Sequence, residues 1–236
     1  MRLILIRHGQ TPSNVLGLLD TMVPGPGLTD LGMEQAEGVV EALAGVDIHR
    51  VVASPQTRAQ LTAKPLAADR GLDVEVLDGL REIAAGAWEM AGDEESVRGY
   101  IGQLGRWMTG NALHESTPGP TGESGADVLA RYDGALAMAF EDDATRTVAA
   151  VSHGAAIRFW ASVRGANLPD AYGLEHSVSN TGVVVLSRNT FDEPWSVESW
   201  TGDPIGGDEL DDFAGDGPAA DELKDRSLLG DPTGGE

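Results

Sequence analysis

The sequence predicts an α/β fold: a three-layer sandwich with a mostly parallel central sheet, helices on both faces and a terminal antiparallel strand. The chain opens with Leu3-Ile4-Leu5-Ile6, an unbroken apolar run that is typical of a strand buried on both faces of a parallel sheet. Short runs of this kind then alternate with helix-length segments, which indicates strand–helix units. The 236 residues suffice to bury a sizeable core.

The first predicted strand ends abruptly in charge. Arg7-His8-Gly9 follows Ile6 directly, and ligands of open α/β sheets bind at the carboxyl ends of the strands. Gly9 allows a sharp turn or a close approach of a ligand to the backbone. On these residues alone, a polar turn after a buried strand is the alternative interpretation.

The first half of the chain continues as alternating helices and short strands. Thr29 or Asp30 can cap the first helix. Ser54-Pro55 predicts an N-cap followed by proline at the first position of the next helix, which Pro65 could kink or split. The predicted segments are a Gly/Pro-rich loop at 15–28, a helix at 30–44, a strand at 50–53, a helix from 54 to about 70, and a strand at 74–77.

The second half opens with an excursion over residues 90–123, where glycines and acidic residues surround a predicted short helix. Its large side chains, among them Tyr100, predict a partly apolar roof over a pocket. Ser124 and Asp127 resemble a capping box at the start of a helix that runs to about Asp142. The remaining predicted segments are a strand at 147–151, a helix at 153–165 and an antiparallel pair at 181–187 and 195–200.

The domain organisation follows from a change in composition. We expect one domain over residues 1–202, which includes the excursion, and an acidic Gly/Pro-rich tail over 203–236. The tail carries 11 acidic and two basic side chains, a composition typical of a solvated arm or a disordered segment.

The overall composition excludes several classes of protein. A net charge of −22 argues against electrostatic binding to nucleic acid or an anionic membrane. The chain has no cysteine, so disulfides, thiol nucleophiles and cysteine metal sites are excluded. It shows no long apolar run and no leader pattern, from which we expect a cytoplasmic protein. A homo-oligomer is left open.

Five segments, in order, resemble the histidine phosphatase superfamily, the phosphoglycerate-mutase-like proteins. The first is residues 7–14, Arg-His-Gly-Gln-Thr-Pro-Ser-Asn. The others are Leu28-Thr29-Asp30-Leu31-Gly32 with Gln35-Ala36, Ala53-Ser54-Pro55 with Arg58 and Thr62-Ala63, Leu80-Arg81-Glu82-Ile83 with Gly86 and Trp88-Glu89, and Val151-Ser152-His153-Gly154. The resemblance covers roughly residues 2–200 and implies phosphoryl chemistry through a phosphohistidine.

Three residues match the catalytic positions of that family. His8 matches the phosphorylated histidine, and a neutral imidazole offers a free lone pair when an acceptor holds its second nitrogen. His153 matches the second histidine, which donates hydrogen bonds to the phosphoryl oxygens. Glu82 matches the proton donor, which must be protonated to release an alkoxide. Glu89 and Glu123 compete with Glu82 for that role.

The resemblance also implies a set of phosphate-binding residues. Arg7 and Arg58 match the pair that clamps the phosphoryl group, because a guanidinium binds phosphate oxygens bidentately. Asn14 and Thr11 match polar positions that reach the phosphate, and the backbone amide of Ala155 could donate to it. Asn180 falls where the family often has an asparagine, or it only caps a turn.

We therefore predict a phosphatase that hydrolyses small-molecule phosphate monoesters, with neither a metal nor a cofactor. A phosphoglycerate mutase is the alternative within the family, and a non-catalytic phospho-ligand-binding protein is the alternative outside it. The three other histidines lack metal-ligand spacing. His49 and His176 are expected to be structural, whereas His114 in the excursion could contact substrate.

Overall fold

The computed structural model describes residues 1–141, 146–211 and 217–218. Six strands form one sheet in the order β3-β2-β4-β1-β5-β6. Strands β1 to β4 run parallel, while β5 is antiparallel to β1 and β6 is antiparallel to β5. The strands are β1 (Arg2–Arg7), β2 (Arg50–Ala53), β3 (Val74–Val76), β4 (Thr147–Ser152), β5 (Val183–Ser187) and β6 (Ser196–Thr201). The predicted mostly parallel sheet with an antiparallel end is confirmed.

Helices cover both faces of this sheet. Among the described residues, the helices are α1 (Pro12–Val15), α2 (Asp30–Ala42), α3 (Thr57–Arg70), α4 (Glu94–Met108), α5 (Gly125–Phe140), α6 (Gly154–Arg164) and α7 (Tyr172–Glu175). In β1, Leu3 and Leu5 pack in the core beneath α4, α5 and α6, while Ile4 and Ile6 pack in a second core beneath α2 and α3. Successive strand residues point to opposite faces, so one apolar run serves two cores and gives the predicted three layers.

Several local predictions are confirmed by the caps. The Thr29 side chain accepts from the Gly32 amide at the start of α2, and Ser124 and Asp127 form the predicted capping box of α5. The helix α3 runs unbroken through Pro65. The predicted end of the α5 segment at Asp142 lies outside the described residues.

Two predictions about helices are wrong. The N-cap of α3 is Gln56 and not Ser54, because the Ser54 hydroxyl bonds instead to Gln56 Oε1 and to His153. The excursion holds α4, a helix of 15 residues and not a short one. Its apolar residues recur on one helical face, and that face packs along the core over the length of the helix.

The expected roof over the pocket is mostly absent from that helix. Trp107 and Met108 are buried in the core, and Met90 is exposed. Tyr100 lines the pocket and donates its hydroxyl to the Ile83 carbonyl at 2.9 Å. The apolar residues of α4 thus pack chiefly in the core and not over the pocket.

Part of the acidic tail is ordered against the domain. Residues 203–211 contain a short 3-10 turn at Asp208–Leu210 and pack against α2, and Gly217 and Pro218 lie at the pocket. The prediction of a solvated or disordered arm is wrong for these residues. Residues 212–216 and 219–236 lie outside the described part of the chain.

Candidate active site

The register of two parallel strands brings the two signature histidines together. Arg7 at the end of β1 pairs with Ser152 at the end of β4, so His8 and His153 both leave the sheet at the same edge. Their ring centroids are 5.1 Å apart, and both side chains are buried. The parallel pairing of β1 with β4 thus places the two imidazoles side by side.

Hydrogen bonds fix the tautomer of His8. Its Nδ1 lies 2.8 Å from the Gly9 carbonyl oxygen, which can only accept a proton. The Nε2 atom accepts a hydrogen bond of 3.1 Å from Arg58 Nε. Burial, followed by the charges of Arg58 and Arg7, holds the pKa of His8 well below its ordinary value. His8 is therefore neutral, with its Nε2 lone pair directed to a guanidinium.

The backbone around His8 is held as firmly as its ring. Asn180 Nδ2 donates to the His8 carbonyl oxygen at 2.9 Å, so this asparagine supports the signature loop. The Gly9 amide donates to Thr62 Oγ1 at 2.9 Å. A Cβ added to Gly9 would lie 2.5 Å from the carbonyl oxygen of Gly32, so only glycine fits at this contact.

Arg58 and Arg7 provide the cationic lining. Arg58 is the second residue of α3, and its Nη2 donates to the Asp20 carbonyl oxygen at 2.9 Å. Its buried Nη1 has no hydrogen-bond partner within the described ranges. Burial lowers the pKa of Arg58, and the Asp20 carboxylate opposes that shift. Arg7 Nη1 donates to the Val178 carbonyl oxygen at 2.8 Å, and the side chain lines the cavity.

The carboxyl group of Glu82 lies against the N-terminal end of α6. Its Oε1 accepts from the amides of Ile83 and Ala156 at 2.8 and 2.9 Å, and its Oε2 accepts from Ala155 at 3.3 Å. Burial raises the pKa of Glu82 and outweighs these amides and the charge of Arg58, which lower it. The pocket therefore contains a carboxyl group biased towards its protonated form. The Ala155 amide expected to bind phosphate contacts this carboxyl group.

The two competing glutamates have structural partners. Glu89 accepts from the backbone amides of Thr21 and Met22 and from the Thr21 hydroxyl. Glu123 pairs with Arg131 through two hydrogen bonds of 2.8 Å. Arg131 in turn donates to carbonyl oxygens of the loop that carries Glu82. Of these three glutamates, only Glu82 lines the cavity that also contains His8 and Arg58.

A chain of hydrogen bonds also fixes the tautomer of His153. Gln56 Nε2 donates to the Thr21 carbonyl oxygen at 2.9 Å, so Gln56 Oε1 accepts from Ser54 Oγ. The Ser54 oxygen then accepts from His153 Nε2 at 2.7 Å. His153 Nδ1 has no partner among the described residues, and burial lowers its pKa. His153 packs behind His8 and is not part of the lining of the cavity.

Thr11 and Asn14 form the capping box of α1, which the sequence did not predict as a helix. The Asn14 Oδ1 atom accepts from the Thr11 amide and hydroxyl, both at 3.0 Å. Both residues line the cavity. Their polar groups are therefore placed in the lining of the cavity by a capped helical turn.

Sequence reasoning missed two charged residues of the cavity. Arg158 lies on α6, one helical turn after Gly154, and donates its Nε to the Gly173 carbonyl oxygen at 2.8 Å. Burial lowers the pKa of Arg158 to about 10. Asp20 accepts from Ser13 Oγ at 2.6 Å, and its Oδ1 lies 3.8 Å from Arg58 Nη1. Arg158 lies near the start of the helix predicted directly after His153, and this position could have indicated it. Nothing in the sequence indicates Asp20.

The cavity itself is small, with a volume of about 60 Å³. His114 is exposed and is not part of its lining. Within the described ranges, no group of three or more His, Asp and Glu residues is arranged to hold a metal ion, and no helix is long and apolar enough to span a membrane.

Comparison with known proteins identifies the family. A family model described as the histidine phosphatase superfamily (branch 1) matches residues 3–202. The PE-PGRS family protein PE_PGRS11 of Mycobacterium tuberculosis is 35% identical over 214 residues, which are 85% of this chain and 36% of that protein. The adenosylcobalamin/alpha-ribazole phosphatase of Escherichia coli is 44% identical over 90 residues, 38% of this chain and 44% of that protein. The chain thus spans less than half the length of these two relatives.

The fold matches solved structures over a larger share. The structure of mycobacterial glucosyl-3-phosphoglycerate phosphatase superposes with a TM-score of 0.69 at 26% identity. The match covers 85% of this chain and 98% of that one.

Proposed function

Because the chain belongs to the histidine phosphatase superfamily, we propose that it hydrolyses small-molecule phosphate monoesters through a phosphohistidine on His8. The observation that carries the proposal is the convergence of His8, His153, Arg7, Arg58 and Glu82 at one edge of the sheet. Membership supports an enzyme that acts on phosphate. Two proteins similar to it are named phosphatases, which favours hydrolysis.

In the first step, His8 Nε2 attacks phosphorus. A nitrogen–phosphorus bond forms, the ester oxygen–phosphorus bond breaks, and the Glu82 carboxyl proton moves to the departing oxygen. The lowered pKa of His8 keeps its lone pair available, and the raised pKa of Glu82 keeps the proton available. These opposite pKa shifts suit a nucleophile that needs no separate general base, paired with a general acid.

Arg58 must change partners during this step. In this structure the Arg58 Nε–H donates to the His8 Nε2 lone pair that attacks. An incoming phosphoryl group takes that position and offers oxygens to the guanidinium, including the unpartnered Nη1. A hydrogen bond to a charged group contributes about 1.5–3 kcal/mol, so the exchange favours binding of the phosphoryl group.

The electrostatic role of His153 depends on its protonation. Its Nε2–H is engaged by Ser54, so the neutral ring has a bare Nδ1. A nearby phosphoryl dianion raises the pKa of the ring, and the protonated Nδ1 then donates to a phosphoryl oxygen. Arg7, Asn14 and Thr11 complete the polar lining of the cavity.

In the second step, water attacks the phosphohistidine. The Glu82 carboxylate accepts a proton from water, the nitrogen–phosphorus bond breaks, and inorganic phosphate leaves. The pocket is thereby returned to its initial protonation state. We place this activity in the cytoplasm. The net charge of −22 supports a small-molecule substrate, because it disfavours binding to nucleic acid or to an anionic membrane surface.

The test is a phosphate-release screen over many monoesters with wild type, His8→Ala and His114→Ala. His114 is an exposed histidine outside the cavity and serves as the matched control. We expect release by wild type and His114→Ala, with loss in His8→Ala. Equal release by wild type and His8→Ala would contradict the assigned nucleophile.

Two further measurements separate the alternatives. A mutase would convert 3-phosphoglycerate to its 2-isomer faster than phosphate appears. A non-catalytic binding protein would bind inorganic phosphate but acquire no acid-labile, base-stable label on His8 from a phosphoryl donor. We expect such a label, together with phosphate release.

A further inference from the structure

The chain continues beyond the residues matched by the family model, and this continuation packs on α2. A Cβ added to Gly38 of α2 would lie 3.0 Å from Gly206 Cα, and one added to Gly206 would lie 3.0 Å from Gly38 Cα. Ile205 packs against the core beneath α2, and Leu210 Cδ1 lies 2.8 Å from the Cβ position of Gly38. Two facing glycines therefore allow a close backbone contact.

A glutamine connects this segment to the nucleophile loop. Gln35 Nε2 donates to the Leu210 carbonyl oxygen at 2.7 Å, while its Oε1 accepts from the Gln10 amide at 2.8 Å. Gln10 lies two residues after His8. The Gln35 side chain is buried, and its bond to Gln10 lies in the interior while its bond to Leu210 is partly buried. The docked segment and the catalytic loop thus share one buried side chain.

The chain then returns to the cavity at Gly217 and Pro218, which belong to its lining. Gly217 is buried, and its φ of +88° lies in the region that favours glycine. A Cβ added there would lie 3.0 Å from Asn14 Nδ2 and 3.9 Å from Arg7 Nη2. This backbone therefore lies directly against two residues of the predicted phosphate site. We call residues 203–211 together with Gly217 and Pro218 the strap.

The volume left inside the strap decides what fits. A buried water needs about 10–15 Å³, so the cavity of about 60 Å³ holds about four to six non-hydrogen atoms. That number matches a phosphoryl group. The alcohol half of a larger monoester must therefore extend beyond this small cavity, past a lining that includes Gly217 and Pro218.

We propose that the strap occupies the place of the leaving alcohol, is displaced when an ester binds, and so determines which alcohols are accepted. This inference rests on the proposed phosphatase function. The strap lies beyond residue 202, where the family match ends, so it would distinguish this chain from relatives that share the catalytic residues.

Gly206→Val tests the proposal in the full chain, because an added side chain collides with Leu210 and α2. Gly45→Val is the control, since a Cβ at Gly45 meets nothing within 4 Å. Ethyl and 3-phenylpropyl phosphate have alcohols of similar acidity and different size. We expect Gly206→Val to raise kcat/KM for the larger ester at least about tenfold relative to the smaller one, and to change inhibition by inorganic phosphate by less than about threefold. An unchanged ratio in a folded variant would overturn the proposal.

A second measurement does not depend on activity. The chain has no cysteine, so Pro218→Cys and Gly45→Cys each introduce a single thiol. We expect a bulky maleimide to label Pro218→Cys at least about tenfold more slowly than Gly45→Cys, and Gly206→Val to remove most of that difference. Equal labelling rates would refute the strap even in an active enzyme. Protected labelling in a protein that hydrolyses no ester would refute the phosphatase function and retain the strap.

Discussion

Replacing Glu82 with glutamine removes the proposed proton donor while preserving its shape. The glutamine amide oxygen can accept the two short hydrogen bonds from Ile83 and Ala156 that Glu82 Oε1 accepts now. The amide nitrogen replaces only the oxygen that lies 3.3 Å from the Ala155 amide, the longest of the three contacts. We therefore expect an intact fold and intact phosphate binding, with the loss confined to proton transfer.

The size of the effect depends on the leaving group. A positioned general acid contributes about 10²–10⁴-fold to a rate, which corresponds to about 3–5 kcal/mol. An alkoxide needs that proton, whereas 4-nitrophenolate leaves as an anion. We expect kcat/KM of Glu82→Gln to fall by about 10²–10⁴-fold for ethyl phosphate and by less than about tenfold for 4-nitrophenyl phosphate.

The pH profile provides an independent measure of the same residue. Burial raises the pKa of Glu82. In the proposed mechanism the protonated form is the active acid, so we expect wild-type kcat/KM for ethyl phosphate to fall as pH rises through that pKa. The pKa of His8 is lowered by burial, so protonation of the nucleophile reduces the rate only well below the ordinary histidine range. Glu82→Gln should lack the alkaline decline.

Steady-state rates on both esters, measured from acidic to alkaline pH, test this reasoning, with Glu89→Gln as control. Glu89 is a neighbouring carboxylate engaged by backbone amides, and its variant should keep the dependence on leaving group. Equal losses for the two esters in Glu82→Gln, or a persistent alkaline decline, would show that another group donates the proton.

Three further predictions concern binding and stability. Arg58→Ala should weaken the binding of inorganic phosphate by about 10- to 100-fold in isothermal titration calorimetry, because a hydrogen bond to a charged group contributes about 1.5–3 kcal/mol. Arg98→Ala, at an exposed arginine, should leave that affinity unchanged. Burial holds the pKa of His153 below its unfolded value. Wild type should therefore lose up to about 1.4 kcal/mol more stability per pH unit below 6.5 than His153→Asn in urea unfolding; equal slopes would contradict this. Gly9→Ala, whose Cβ would lie 2.5 Å from a backbone oxygen, should lose about 1–3 kcal/mol of stability, and Gly45→Ala less than about 0.5 kcal/mol; similar denaturation midpoints would refute the steric reasoning.

Features encoded locally could be predicted from the sequence. The capping box of Ser124 and Asp127 needs only residues three apart, and the burial of β1 follows from one apolar run. The meeting of His8 and His153 was predictable because both directly follow parallel strands. The first two inferences need only periodicity and neighbours in the chain, whereas the third rests on the prediction of a parallel sheet.

Features that depend on distant contacts could not be predicted in this way. The Ser54-Pro55 pattern favours a helix cap, yet the serine hydroxyl bonds to His153, 99 residues away. The composition of the tail indicates solvation, yet facing glycines at 38 and 206 dock it on α2. In each case a tertiary partner outweighs the local preference, and no local pattern names that partner.

The pairing of β1 with β4 has a consequence for how the protein acquires activity. These neighbouring strands come from near the start and from the later part of the domain, so the active centre closes only with a long-range contact, which is slow to form. A slip of one residue in this pairing would also turn each side chain of the misplaced strand to the opposite face. Partly synthesised or misregistered chains should therefore be inert, and the onset of turnover during refolding should report closure of this strand pair.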